Sequence, residues 1–260
     1  MSPDAIRPIP TGEGPSSVDL GVPSSALVMP AHPDDAEFQC GATLAKWSRL
    51  GTVVHHLVLT DGSKGTWDQN VDQTSLIEQR QEEQRAAAAA LGATGEVVFL
   101  GEVDGELAAT TMLRGRVAAV IRQLRPAVIL GHDPWKRYRL HPDHRAAGVI
   151  CVDGIVAARD PFFHPEQLRD GLEPHRPDAL LLFEADVANH AEAVTQADLD
   201  AKLEALEAHR SQMETTHFYR VGDALPLDAF RHGERERLIG SGRWAGVELA
   251  EAFHLIQDQL

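Results

Sequence analysis

Two short clusters hold the residues that could do chemistry in this chain: Ala31-His32-Pro33-Asp34-Asp35 and His141-Pro142-Asp143-His144. The first sets an imidazole and two carboxylates side by side, donors that suit a divalent cation. Pro33 stiffens the turn so that His32 and Asp35 can converge while Asp34 points elsewhere. The second adds two imidazoles and a carboxylate. If His32, Asp35 and His144 bind one metal, they form a two-histidine, one-aspartate set that leaves a fourth position for water, as catalytic rather than structural zinc sites require. Zinc lowers the pKa of bound water from about 15.7 to about 7 and polarises a carbonyl oxygen, and amide hydrolysis needs both. The other members then find roles. Asp34, beside a ligand but not spent on it, is the candidate general base; His141 is the candidate hydrogen-bond donor to the tetrahedral oxyanion; Asp143 is placed to orient His141 or a metal-bound imidazole. The expected cofactor is one Zn2+ per chain.

These clusters need elements to bring them together. Short apolar runs at Ala26 to Met29, Val53 to Thr60, Val97 to Leu100, Ala127 to Gly131 and Ala179 to Glu184 read as buried strands. Helical stretches alternate with them: Glu37 to Leu50, Ser75 to Leu91, Thr110 to Arg125 and His144 to Arg159, three of them closed by Gly51, Gly92 or Pro126. This rhythm predicts an α/β fold, a Rossmann-like, doubly wound and mostly parallel sheet with helices on both faces and the site at the carboxyl ends of the strands. Both clusters follow predicted strands. One His-Pro-Asp string at a strand end is commonly a turn with an Asx-type cap. Two such strings at the ends of two strands of one domain are harder to explain as turns.

The length, 260 residues, suits one such domain, expected over residues 23–260 after a loose Pro-, Gly- and Ser-rich arm over 1–22. That arm lacks the basic start and apolar run of a secretory signal. No stretch approaches the roughly 20 apolar residues that cross a bilayer, so no integral membrane association is expected. Cys40 and Cys151 form no CxxC pair and fit a reducing cytoplasm. A net charge of −15 without a basic stripe argues against nucleic acid as a partner. After Asp160 the rhythm weakens: a Pro- and His-rich connection runs to Pro177, a helix is expected from Asp198 to about Met213, and a mixed-charge stretch follows from Arg231. The segment Phe230 to Gly242 reads as loose, a candidate for a self-contact in a homo-oligomer or a cover over the site.

At AHPDD (Ala31 to Asp35), Gly41-Ala-Thr-Leu-Ala and HPDHRAAG (His141 to Gly148), the sequence resembles the LmbE/PIG-L family of zinc-dependent N-deacetylases. The likeness extends to Thr60-Asp-Gly, Arg80 and Glu83, His209-Arg-Ser-Gln and Ala250-Glu-Ala-Phe, roughly residues 25 to 255. It implies a Rossmann-like fold and a small-molecule substrate, an N-acylated amino sugar or glycoconjugate. By the same resemblance His32, Asp35 and His144 match the metal ligands, Asp34 the general base and His141 the oxyanion-stabilising histidine. Some family members carry a tyrosine just ahead of the HPDH motif; here Arg139 and Leu140 stand there and Tyr138 lies one position upstream.

Arg80, Asp61 and Tyr138 are the candidates for substrate binding, with a surface ion pair to Glu83 as the alternative for Arg80 and a turn cap for Asp61. Asp104, in an Asp-Gly pair, reads first as a turn. His55 and His56 fall inside a strand and do not read as ligands, His132 carries little functional weight, and His209 is a candidate buttress. Two rivals remain open. A phosphoesterase would hold two metals about 3.5–4 Å apart, so metal per chain separates it from a deacetylase. A sugar-binding module without turnover would have no need of both Asp34 and His141. The selecting loops, Gly62 to Gln73, Asp133 to Leu140 and Pro161 to Pro177, carry no readable code for the substrate.

Overall fold

The computed structural model describes residues 10, 12–216, 224–258 and 260. Its centre is an eight-stranded mixed sheet of β1 Ser17–Val18, β2 Ser25–Met29, β3 Val53–Thr60, β4 Val97–Glu102, β5 Val128–His132, β6 Ala179–Phe183, β7 His190–Val194 and β8 Leu249–Ile256. The order across it is β1-β7-β8-β6-β5-β2-β3-β4. The block β6-β5-β2-β3-β4 is parallel throughout. Strands β2, β5 and β6 are buried along almost their whole length, which explains why they read as continuous apolar runs and not as alternating patterns.

Helices cover both faces. α3 (Thr111–Leu124) and α4 (Pro142–Arg159) pack Val117, Ile121, Ile150 and Ile155 against Leu27, Met29, Ile129 and Leu180. On the other face α1 (Asp35–Arg49), α2 (Gln73–Ala90) and α6 (Gln196–Ala208) cover Ala26, Val28, Leu130 and Leu181 with residues including Leu44, Trp47, Ala87 and Ala205. The caps are local. Asp72 accepts from Ser75 N, Thr110 from Leu113 N, and Thr195 with Asp198 closes a capping box at the start of α6. Because β2 is flanked by β3 on one side and β5 on the other, the chain leaves β2 and β5 toward opposite faces. Their carboxyl ends open the crevice at this switch point.

The second half departs from expectation. β7 and β8 are not apparent from the sequence pattern, and β8 runs antiparallel to both neighbours. The stretch expected as one helix to Met213 stops at Ala208, and a 3-10 turn spans Arg210–Gln212. The segment Phe230 to Gly242 is not loose: it belongs to α7 (Ala224–Ala245), where Phe230 packs edge-on to Phe38 and Arg231 pairs with Glu207. The arm is held where it is described. β1 pairs with β7, Leu20 N donates to Glu192, and Asp19 accepts from Lys46 Nζ; Met1 to Ile9 and Thr11 lie outside the described residues. α5 (Pro165–Arg169) is a single turn in the loop before β6. Among the described residues no helix is long and apolar enough to cross a membrane.

One break shapes the site. α1 is interrupted at Cys40 (φ −146°, ψ 18°), and the new helix start behind it is capped by Glu251 of β8, which accepts from Ala42 N at 3.2 Å and Thr43 N at 2.8 Å. Lys202 Nζ bridges Glu251 and the carbonyl of Phe38. The motif Ala250-Glu-Ala-Phe thus fixes the angle at which the first turn of α1 reaches the crevice.

Candidate metal centre and active site

The loop leaving β2 is stitched to β3 by Thr60, whose N–H and hydroxyl both donate to Ala31 O at 2.9 Å. His32 follows at once. Asp35 opens α1, and its Oδ2 accepts from His32 N at 2.8 Å, so the tight turn orients the carboxylate before any ion arrives. His144 comes from the first turn of α4. Its Nε2 lies 3.2 Å from Asp35 Oδ1, and His32 Nδ1 lies 3.2 Å from Asp35 Oδ2. The donor atoms of His32, Asp35 and His144 all fall within 4.8 Å of one another. Two imidazoles and one carboxylate at such spacing fit a single divalent cation of the zinc type. The other nitrogen of His32 faces Asp143 Oδ2 at 3.0 Å, the carboxylate–histidine support that metal ligands carry. Asp143 therefore orients His32, and Gly105 N and Leu107 N fix Asp143 in turn.

Electrostatics divides the paired carboxylates. Burial would raise Asp35, but His144, His132 and His32 hold it well below the usual carboxylate range. His32 goes the other way: burial lowers it, and the carboxylates of Asp104, Asp143 and Asp35 outweigh burial and raise it. Asp34 is pushed up to about 6, first by burial, against the pull of Arg80 and with the repulsion of Asp35. Its Oδ2 is buried and, among the described residues, has no hydrogen-bond partner, with Arg80 Nη2 at 3.7 Å. Its backbone sits at φ 99°, a left-handed conformation that costs a non-glycine residue of order 1–3 kcal/mol. A buried, unpartnered carboxylate on strained backbone beside a candidate metal triad has the attributes of a base.

His141 is the N-cap of α4, with Pro142 at the first helical position. Its Nδ1 accepts from Asp143 N at 3.3 Å, which fixes the neutral tautomer and leaves Nε2–H to donate. Burial, then His32 and His144, lower its pKa, so that neutral form is favoured. Its ring meets His32 edge-on at 4.7 Å and stacks on His144 at 4.7 Å.

The three substrate candidates have different surroundings. Arg80 is 2% exposed and lies against the site, Nη2 3.7 Å from Asp34 Oδ2, with no pairing to Glu83 among the described residues; it donates to Gly62 O at 2.8 Å and Pro33 O at 2.7 Å. Glu83 instead accepts from Ser211. Asp61 turns its Oδ1 to Ser63 N and Asp104 N, a loop cap. Tyr138 is 92% exposed. Four further residues lie against the candidate site. Asp104 Oδ1 lies 3.4 Å from His32 Nε2. His132 is fully buried, 3.4 Å from Asp35 Oδ2, and is lowered to about 4 by burial and by His144. Arg139 contacts His144 Nδ1 at 3.0 Å and pairs with Glu184. His132 closes β5, while Asp104 and Glu184 stand just beyond β4 and β6, so their position at strand ends was the available signal.

The family pattern described as PIG-L, GlcNAc-PI de-N-acetylase, matches residues 27–155. A relative named diacetylchitobiose deacetylase, from Thermococcus kodakarensis, is 36% identical over 186 residues, covering 72% of this chain and 69% of the relative. A more distant one, named 4-oxalmesaconate hydratase, from Pseudomonas putida, is 27% identical over 165 residues, 59% of this chain and 62% of that protein. Among solved structures, N,N'-diacetylchitobiose deacetylase from Pyrococcus horikoshii superimposes with a TM-score of 0.80 at 26% identity, over 90% of this chain and 84% of that one.

Proposed function

The chain belongs to the PIG-L family of de-N-acetylases, and we propose that it is a zinc-dependent hydrolase that removes the acetyl group from the nitrogen of an N-acetylated amino sugar. The observation that carries this reading is the convergence of His32, Asp35 and His144 beside the unpartnered carboxylate of Asp34. His32, Asp35 and His144 would hold the zinc, which when bound activates water and polarises the acyl carbonyl. Asp34 accepts the proton of the attacking water; with its value near 6 it is largely ionised at neutral pH yet holds a proton more readily than a surface carboxylate. His141 Nε2–H donates to the oxyanion of the tetrahedral adduct. The proton on Asp34 is then available to the departing amine, so one group serves as base and then acid. Asp143 keeps His32 turned toward the ion, and Arg80 grips the turn beneath Asp34.

The test is release of acetate and free amine from N,N'-diacetylchitobiose by the zinc-loaded protein, followed by chelation. Both products are expected in equal amounts, with loss of activity on metal removal and recovery on adding zinc back. One zinc per chain is expected, which separates this reading from a two-metal phosphoesterase. Turnover that survives complete metal removal would end it. A hydratase-type reaction, suggested by the Pseudomonas putida relative's name, would add water to a substrate without freeing an amine.

A further inference from the structure

A single peptide unit, the one joining Pro33 to Asp34, is gripped at both of its polar ends by one face of α2. Arg80 Nη2 donates to Pro33 O at 2.7 Å, and Asp34 N donates to Gln84 Oε1 at 3.1 Å. Arg80 and Gln84 are four residues apart, hence one above the other on the helix, and both are almost fully buried. This is the peptide whose rotation sets φ of Asp34 at 99° and aims its carboxylate.

The grip works only if the amide of Gln84 faces the right way. Gln84 Nε2 donates to Glu37 Oε1 at 2.7 Å. Glu37 is fully buried, with Oε2 3.4 Å from His209 Nε2 and Oε1 3.7 Å from His56 Nε2. An ionised carboxylate can only accept, so the NH2 of Gln84 is bound to face Glu37 and its carbonyl to face Asp34. The flipped amide would set a donor against the Asp34 N–H. Glu37 follows the first metal motif, Gln84 follows Arg80 and Glu83, and His209 opens His209-Arg-Ser-Gln, so three separate stretches of sequence meet behind one peptide bond.

We infer that Gln84, oriented by Glu37 and His209, is a positioning residue that holds Asp34 in the backbone conformation from which it serves as base. This rests on the deacetylase reading above. Without the Gln84 carbonyl, the Asp34 N–H is buried with no acceptor, and the peptide is free to relax out of the left-handed region, carrying the carboxylate away from the triad.

The zinc-loaded enzyme is assayed on N,N'-diacetylchitobiose as wild type, Gln84→Met, Glu37→Gln and the exchange Glu37→Gln/Gln84→Glu. In the exchange, the carboxylate brought to position 84 accepts from Asp34 N and from the amide brought to position 37, and the carbonyl of that amide is left for His209. For Gln84→Met we expect kcat to fall roughly 10- to 100-fold, the size of effect that an ångström-scale misplacement produces, with KM and zinc content unchanged. The exchange should recover kcat to within about fivefold of wild type, a rescue that lost packing alone would not give. A Gln84→Met kcat within about twofold of wild type, or an exchange variant as slow as the single, overturns the inference. Should Gln84→Met fail to fold, Glu37→Gln takes its place, with a fall in kcat at constant KM expected and no fall overturning. A wild-type enzyme that frees no acetate defeats the deacetylase reading instead. The crystal structure of Gln84→Met then decides, a positive φ retained at Asp34 overturning the inference and its loss supporting it.

Discussion

Two buried groups of carboxylates, at opposite ends of α1, obey different rules. Where β8 and β7 meet that helix, Glu251 accepts from Ala42 N, Thr43 N and Lys202 Nζ, and Glu192 accepts from Leu20 N and Lys46 Nζ and lies 3.0 Å from His190 Nε2. Every one of those carboxylate oxygens has a partner. At the crevice, Asp34 is as buried as Glu251, yet its Oδ2 has no hydrogen bond among the described residues and its backbone is strained. A buried polar atom left unmatched costs about 1–3 kcal/mol. Glu251 and Glu192 spend their charge on holding elements together, and Asp34 keeps its own in reserve. The difference teaches where chemistry is stored: Glu251 and Asp34 are equally buried, and of the two only Asp34 keeps an oxygen without a hydrogen bond among the described residues.

The comparison predicts opposite signs for two substitutions. Asp34→Asn removes the proposed base and should lower the proposed deacetylation rate by about 10³-fold, within the 10²- to 10⁴-fold span of general-base catalysis. Because a strained, unmatched charge leaves the interior, the melting temperature should hold or rise. A kinetic assay and a thermal melt on the same preparation check both halves, and a large drop in melting temperature would place Asp34 with the structural carboxylates. Glu251→Ala should do the reverse. It leaves Lys202 without its closest buried counter-charge and uncaps α1 behind Cys40, a loss of about 3 kcal/mol. For a chain of this size that corresponds to a fall of roughly 6–12 °C. Activity per folded molecule should change less than for Asp34→Asn, and a variant that melts like wild type would dissolve the distinction.

The parts of this division that could be read from the sequence are those with local causes. The apolar runs of β2, β3 and β5 and the Gly92 and Pro126 that close α2 and α3 announce themselves within a few residues. His32, Asp35, His141 and His144 stand out because two similar strings follow two strands. The inward turn of Arg80 has a nonlocal cause. The side chain turns inward only because Gly65 leaves room; a Cβ there would lie 2.2 Å from Arg80 Nη1. Asp104 was hidden by its glycine neighbour, since Asp-Gly reads as a turn whether or not the carboxylate reaches His32. β7 and β8 were missed because each carries charged or polar residues, Glu192 and Glu251 among them, that make sense only once Lys46 and Lys202 are seen beneath them.

Lys46 offers the finest cut between the two groups, because its effect should be small and confined to one side of a pH threshold. Its ammonium reaches Glu192 at 2.7 Å, Asp19 at 2.6 Å and the carbonyl of Ala193 at 2.9 Å, tying α1 to β7 and to the N-terminal strand. Burial lowers its pKa, but Glu192 and Asp19 outweigh burial and raise it above the ordinary lysine value. A group whose folded value is raised contributes stability that is complete below its unfolded value, about 10.4, and disappears as pH climbs through the folded value. Lys46→Met should therefore cost on the order of 1 kcal/mol at pH 8, the Asp19 half of the cluster being open to solvent. The melting curves of variant and wild type should draw together above about pH 11, where the wild-type amine is losing its proton. Curves that stay equally far apart at both pH values would mean that Lys46 acts through its aliphatic stem. The N-terminal strand would then be held by its two-residue pairing with β7 and not by charge.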